Sequence, residues 1–373
     1  MKQITASITA SITASITAFL GLAPASRTRM LAALETLGIG TAGGILFLWA
    51  NLPGGLISGA MVATGIAAIA GRPLSVPPIV TQAVLVVLGI SIGSVVSRQL
   101  IQHVSAYPVT IGLLALATFC STFGSSLYLQ RMHGWDRTSA FLAGSPGALS
   151  QITILAVERG ADLPAIAVVQ TMRVIILTAA LPMVLALTGV APASSSAITL
   201  SEAPPAQLVA LVAASVSTSL ILRILKFPAS WMFGAMIASS VLHGAGLVDG
   251  GVPPWVRSVA LVGIGALIGS RFARMRPKVL LGHINAALGS FAIAILISSV
   301  FVAIIALTTQ VRLSDTVVAF APGAMDAMLA LALTLHIDPI FVGAHHLSRF
   351  VFVTIATPGI VHLFGRTQDD VDD

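Results

Sequence analysis

Apolar residues fall along this chain in long uninterrupted runs, of which Ile79–Val96, Val109–Leu129 and Ala286–Leu307 are the cleanest. Each is long enough to cross ~30 Å of hydrocarbon as a helix rising ~1.5 Å per residue. A backbone in that environment has to pair its own amides, which a helix does within one segment. Membrane-spanning strands would alternate apolar and polar positions, and these runs do not. Punctuated by Pro, Gly and isolated basic residues, the pattern predicts six apolar segments in each half. They lie near 33–50, 55–71, 79–96, 108–130, 138–158 and 163–189, then near 207–222, 229–246, 255–271, 281–307, 314–335 and 338–364.

Composition agrees. Hydrophobic residues make up 56% of the chain and charged residues 9%, against roughly 25% charged in ordinary soluble domains. Mean hydropathy is +0.99. The net charge of +6 does not point to nucleic acid, because the Lys and Arg residues are scattered over short loops with no basic helix or aromatic platform. Basic loops between apolar segments report orientation instead. The lone Cys120 excludes a disulfide within the chain and argues against a Cys-based metal site. Residues 4–18 read as a tandem ITAS repeat. They are expected to be a low-complexity extension or to reflect a misassigned start upstream of Met30; a signal peptide cleaved near Ala23-Pro24-Ala25 is the alternative.

The two halves answer each other at a nearly constant offset. Val76-Pro77-Pro78 matches Val252-Pro253-Pro254; Gly89, Gly93 and Ser94 match Gly265, Gly269 and Ser270; Arg98 matches Arg274. Pro146-Gly147-Ala148 matches Pro322-Gly323-Ala324, Asp162 matches Asp338, Arg173 matches Arg349 and Pro182 matches Pro358. Chance pairing of apolar stretches explains matched Ala and Leu, not matched Pro, Asp and Arg in a chain so poor in charge. The reading is therefore a duplicated unit. It has an extension over 1–30, membrane repeats over 31–190 and 207–365, a linker over 191–206 and an acidic tail over 366–373.

The fifth segment of each repeat is interrupted, at Gly144-Ser145-Pro146-Gly147 and at Ala321-Pro322-Gly323. Proline removes a donor and clashes with the preceding turn, and glycine adds freedom. Two short arms around a break predict a re-entrant hairpin, tolerated at depth where protein or a water-filled cavity surrounds it. With only the fifth segments turning back, the basic loop 271–278 and most other Lys and Arg residues share the side of Arg27 and Arg29, with Arg98 and Arg312 as exceptions. That leaves five spans per repeat, and an odd number inverts the second repeat relative to the first. The expected fold class is an all-α polytopic membrane protein of two inverted repeats, each with five spanning helices and one broken re-entrant hairpin. A parallel bundle with six spans per repeat is the rival.

Candidate chemistry gathers at the breaks. Ser145 before Pro146 reads as an N-cap with proline at the first helical position, so the second arm would start at Pro146 and point its amides at a cavity. Arg173 and Arg349 lie mid-way along the sixth segments, where an ionisable residue is functional by default. Asp326 follows the second break, with Ser150 at the matching place in the first. Asp326 and Arg349 suit an ion pair; arginines that cap the broken arms are the structural alternative. His346, near Asp326, suits a proton relay, with a satisfied core histidine as the alternative. Asp162 and Asp338 read as helix N-terminal carboxylates. The candidate substrate and ion site is thus Ser145, Pro146, Gly147, Ser150, Arg173, Pro322, Gly323, Asp326, His346 and Arg349. No catalytic residue, metal site or cofactor is expected.

The duplicated breaks, Pro146-Gly147-Ala148-Leu149-Ser150-Gln151 and Pro322-Gly323-Ala324-Met325-Asp326-Ala327, resemble the Pro-Gly-Gly motifs of the bacterial AbrB-type membrane proteins. The second glycine is alanine in both copies. The resemblance runs from about Leu34 to Phe364. It implies three functions: regulation of gene expression, which in this chain would be indirect; ammonia oxidation; and transport. An oxygenase needs clustered His and carboxylate ligands, and the eight histidines here are dispersed. The residues favour secondary transport of a small anionic solute coupled to H⁺ or Na⁺, with a membrane-bound regulator as the alternative. The expected setting is the bacterial inner membrane, multi-pass with both termini cytoplasmic. The expected partners are lipid and a small solute but no nucleic acid, and self-association is left open.

Overall fold

The computed structural model describes residues 27–95, 107–147, 149–190, 202–275 and 277–364. The N-terminal repeat, Arg98, most of the linker and the acidic tail lie outside these residues. Among the described residues the chain is all-helical, with fourteen α-helices. The first seven are α1 (Arg27–Trp49), α2 (Gly55–Ile69), α3 (Pro78–Gly93), α4 (Tyr107–His133), α5 (Arg137–Gly144), α6 (Leu149–Glu158) and α7 (Leu163–Leu187). The next seven are α8 (Pro205–Ile224), α9 (Ser230–Gly244), α10 (Pro254–Gly269), α11 (Pro277–Thr308), α12 (Leu313–Phe320), α13 (Met325–Thr334) and α14 (Pro339–Phe364). A 3₁₀ turn, Ser270–Arg274, follows α10. An isolated bridge joins Glu202 to Gly251, so the last linker residues are tied to the α9–α10 loop.

Prolines set several helix starts. α3, α7, α8 and α10 each carry Pro at the first or second helical position, where a missing N–H costs nothing. Among the described residues seven helices are long and apolar enough to cross a membrane: α1, α4, α7, α8, α10 with its 3₁₀ turn, α11 and α14. Ten full spans were expected. α2, α3 and α9 have 15, 16 and 15 residues, or ~22–24 Å at ~1.5 Å per residue. Turn chemistry trims them: Asn51 and Gly54 before α2, and Lys226 and Ala229 before α9, all take positive φ.

The helices pack in two groups. α1, α2, α3, α8, α9 and α10 form one, and α4, α5, α7, α11, α12 and α14 the other. α13 inserts between them, touching α3 and α10 on one side and α7, α12 and α14 on the other, whereas α6 packs on α5 and α7. In consequence Ala327–Ala332 of α13 are fully buried, while Ile154 and Val157 of α6 are exposed.

Glycines bring the first group together. A Cβ at Gly89 would stand 2.3 Å from the Met232 carbonyl oxygen, and one at Gly93 would stand 2.4 Å from that of Met236. Gly265 and Gly269 meet the Ile57 and Met61 carbonyls in the same way, at 2.3 and 2.4 Å. Both contacts advance together along the chain, so α3 runs parallel to α9 and α10 parallel to α2. In the second group Gly124 faces Ile293 and Ile297 while Gly289 faces Tyr128, so α4 and α11 are antiparallel. Small residues at four-residue spacing allow this backbone approach.

Replacing Gly89 or Gly265 by Val drives methyls into a neighbouring backbone. Each is expected to cost about 1–3 kcal/mol, read as a lowered melting midpoint in detergent. Gly112→Ala is the control: a Cβ there meets nothing within 4 Å, and alanine is expected to stabilise α4 by up to ~1 kcal/mol.

Candidate functional site

Each interrupted segment starts and finishes at the same level. Ser139, in the first turn of α5, accepts a hydrogen bond from the Asp162 amide at 2.9 Å, and Asp162 caps α7 through Ala165 N at 3.0 Å. At its other end α5 lies beside Arg173, eleven residues into α7. α5 and α7 therefore run side by side in one direction, and α6 carries the chain back between them. The second half repeats this: Asp315 in α12 accepts the Asp338 amide at 3.2 Å. Asp338 caps α14 through the amides of Ile340 and Phe341 at 2.8 and 3.1 Å.

α5 and α12 are eight residues each and stop inside the protein, so their last carbonyls lack intrahelical donors. Arginines from the following long helices supply them. Arg173 donates to Ala143 O at 2.9 Å and Gly144 O at 3.3 Å. Arg349 donates to Ala321 O at 2.6 Å and Ala319 O at 3.0 Å. One turn earlier Gln170 Nε2 donates to Leu142 O at 3.0 Å, and His346 Nε2 to Val318 O at 3.1 Å. The negative end of each short helix complements a cation.

Those bonds do not exhaust the guanidiniums. Arg173 is 2% exposed and Arg349 3%, and the Nε of each has no hydrogen-bond partner. Among the described residues neither takes part in an ion pair, and Arg349 lies in the field of Arg173. The second break also packs against α7 here. A Cβ on Gly323 would stand 2.8 Å from Leu177 Cδ2, one turn beyond Arg173 on the same face of α7. Among the described residues, two desolvated cations without a carboxylate partner thus lie at the ends of the broken arms, with the second break packed on the helix that carries Arg173.

Several expected residues take other roles. Ser145 is the C-cap of α5, not the N-cap of α6: its hydroxyl donates back to Phe141 O at 3.0 Å. Pro146 does not open a helix either. Gly147 takes φ +90°, and α6 begins at Leu149, because the chain needs the intervening residues to reverse. Pro146 and Pro322 are both buried in the breaks, and Gly323 is buried beside Leu177 and Met328. The side chain of Ser150 lies outside the described set. Asp326 does not pair with Arg349, whose two terminal nitrogens donate to the end of α12. It faces Arg271 of the 3₁₀ turn at 3.8 Å, and its Oδ1 accepts the Ala327 amide at 3.0 Å. His346 is engaged by Val318 O, so it reads as a satisfied core side chain and not a relay to Asp326. Asp162 and Asp338 are N-caps, as their positions implied.

Sequence reasoning missed Asp315, Tyr107, Thr110 and His345. His345 is fully buried; its Nδ1 meets Phe341 O at 2.7 Å and its Nε2 meets Thr110 Oγ1 at 2.8 Å. The signal for Asp315 was available, since an acid stands where the first half has Ser139. A cavity of about 410 Å³ lies elsewhere, between α4, α5 and α14, lined by Phe123, Leu127, Phe141, Ile360 and Arg137. It does not reach the arginines, and the chemistry of the breaks is the better guide to a polar solute.

Comparison with known proteins places these features in a family. The chain is 28% identical over 308 residues to "Uncharacterized protein YhjN" of Bacillus subtilis (strain 168), covering 76% of this chain and 79% of that one. It is 25% identical over 229 residues to "Putative regulator AbrB" of Escherichia coli (strain K12), covering 61% of this chain and 66% of that one. The family model described as "Transition state regulatory protein AbrB" matches residues 56–365, a range that takes in both breaks and both buried arginines. The chain therefore belongs to the AbrB family.

Proposed function

We propose that this protein is a secondary transporter of a small anion, built from two inverted repeats that carry one broken re-entrant hairpin each. The observation that carries this reading is the pair of buried guanidiniums, Arg173 and Arg349, with unpartnered Nε atoms and no acidic counterpart among the described residues. Desolvated like charges side by side are costly unless an anion joins them. A carboxylate suits the planar fork of a guanidinium.

The inverted arrangement draws support from helix order and direction. Lengths of 15, 16, 8 and 10 residues for α2, α3, α5 and α6 recur in α9, α10, α12 and α13. α4 opposes α11 directly. Inverted repeats with discontinuous helices at the midplane are a recurrent transporter architecture. Rocking of the α1–α3/α8–α10 group against the other would open the breaks to either side in turn. The membrane in question is the bacterial inner membrane, with the Arg27 end cytoplasmic.

One relative's name and the family's description favour a second reading, a membrane-bound regulator with no flux of its own. Reconstituted vesicles separate the two, because a transporter moves solute without other proteins. Uptake is measured with a panel of small mono- and dicarboxylates and inorganic anions. Arg349→Ala is expected to abolish uptake. Arg349→Lys, which keeps the charge but loses the fork, is expected to lower initial rates at least about tenfold, ~1.4 kcal/mol. Size-exclusion elution checks that both variants stay folded. Undiminished uptake by either variant refutes the site, and a wild type that moves no anion favours the regulator.

Topology is checked in a Cys120→Ser background. Single cysteines at Gly134 and Gln310, just past the ends of α4 and α11, meet an impermeant thiol reagent applied to intact cells. Labelling at one position and protection at the other is expected; equal reactivity favours the parallel bundle.

A further inference from the structure

The junctions where each hairpin joins its following long helix are built alike but charged differently. In the first half the group that accepts the Asp162 amide is the neutral hydroxyl of Ser139. In the second half the matching position is Asp315, which is 6% exposed. Its Oδ1 accepts the Asp338 amide at 3.2 Å and the Ser314 hydroxyl at 3.4 Å. Asp338 is held as an N-cap by two backbone amides. Two carboxylates thus share one largely buried junction, in a chain with only 13 acidic residues.

A third group closes it. Tyr107, at the start of α4, is 8% exposed, and its hydroxyl has no hydrogen-bond partner. Its ring stands edge-on against Phe341 and His345, with centroids 5.4 and 5.9 Å away. That packing fixes the hydroxyl, which lies in the fields of Asp338 and Asp315. The other charged or titratable groups that face the junction are few. Arg312 caps α12 and its field reaches Asp338. His336 is exposed in the preceding turn, and His345 is engaged with Thr110. Burial pushes the Asp338 carboxyl above the usual carboxylate range and Asp315 adds to this, while the amides of Phe341 and Ile340 and the charge of Arg312 pull it down.

We propose that Asp315 and Asp338 hold one exchangeable proton between them, with the Tyr107 hydroxyl as the third member of the site. This proton is the coupling ion of the anion transport proposed above, a clause that rests on that reading. When a proton binds from solution, one carboxylate becomes a carboxylic acid and can donate to the other, so that a single negative charge is shared. When the proton leaves to solution, two negative charges face each other across the junction between α12 and α14. The same α14 carries Arg349, so the protonation state acts on the helix that holds the anion site.

Infrared difference spectroscopy on the purified full chain tests the site directly. The protonated-carboxyl band is followed as pH is stepped from mild acid to mild alkali. The wild type is expected to lose one band. Asp315→Ser copies the first half's own junction and keeps an acceptor for the Asp338 amide, so it is expected to fold and to lack that band. Tyr107→Phe is expected to keep the band with a displaced midpoint. Because the fold favours the protonated pair, its contribution to stability is present in acid and lost as pH rises through the midpoint. Asp315→Ser is expected to flatten that slope in thermal melts. A band unchanged in Asp315→Ser overturns the site. Loss of the band when NaCl replaces choline chloride at fixed pH also overturns it, in favour of a metal ion. Vesicle uptake is read separately: anion flux indifferent to a pH gradient, with the band intact, overturns the coupling clause alone. Failure to move any anion counts against transport and leaves the infrared result standing.

Discussion

A helix that ends inside a protein at membrane depth leaves carbonyls that no water reaches, and this constraint organises the structure. α5 and α12 end there after eight residues each. Neutral donors satisfy part of the debt, from Gln170 and His346, but the terminal carbonyls go to Arg173 and Arg349. A guanidinium is suited to this place because it presents several donors in a fixed plane. The bond also fixes geometry: α7 and α14 must run alongside the short arms, and α6 and α13 must fold back to meet them. Stability and the proposed chemistry therefore have one origin, since the same cations that end the helices are the buried charge on which the proposed anion site rests.

The two halves obey this constraint alike but sit in different places. α13 is wedged between the helix groups, with Gly323 against Leu177 and Asp326 facing Arg271 across the gap. α6 lies on the outside of α5 and α7. A close-packed interior resists gradual deformation, so movement of one group against the other is expected to exchange discrete packings. The contact between Arg271 and Asp326 is partly exposed and of modest worth as an ion pair. It has no counterpart in the first half, where Ser150 and Val95 occupy the matching positions.

The helical plan was legible because it rests on spacing and on residues that cannot be anywhere else. Long apolar runs have one physical use in lipid, and the helices stand close to where those runs put them, although α2, α3 and α9 are shorter than the full spans expected. Asp162 and Asp338 were likewise readable as caps. The breaks were located but their detail was not. Ser145-Pro146 has the composition of a helix start, yet a reversing chain with Gly147 at positive φ turns the serine into the end of the preceding arm. Partner choice was the weakest inference. Asp326 and Arg349 share a half and a charge relation, but hydrogen-bond demand at the end of α12 claimed the arginine, and only the fold brings Arg271 within reach of the acid. Tyr107 and Asp315 lie far apart in sequence and meet only through packing of α4 on α14.

What differs between the halves bears on function as much as what is shared. Identical inverted halves would make two conformations, each the image of the other across the bilayer, equal in energy, and neither side would be preferred. The arginine caps are duplicated, so either state can present a cationic centre. The acids are not: Asp315 replaces Ser139 and Asp326 replaces Ser150, both in the second half. A titrating or ion-paired group confined to one half contributes differently to the two states, and by linkage the side that supplies its proton or partner biases the exchange. On the proposed reading, the duplicated arginines thus suit binding, while the acids found in one half alone suit direction.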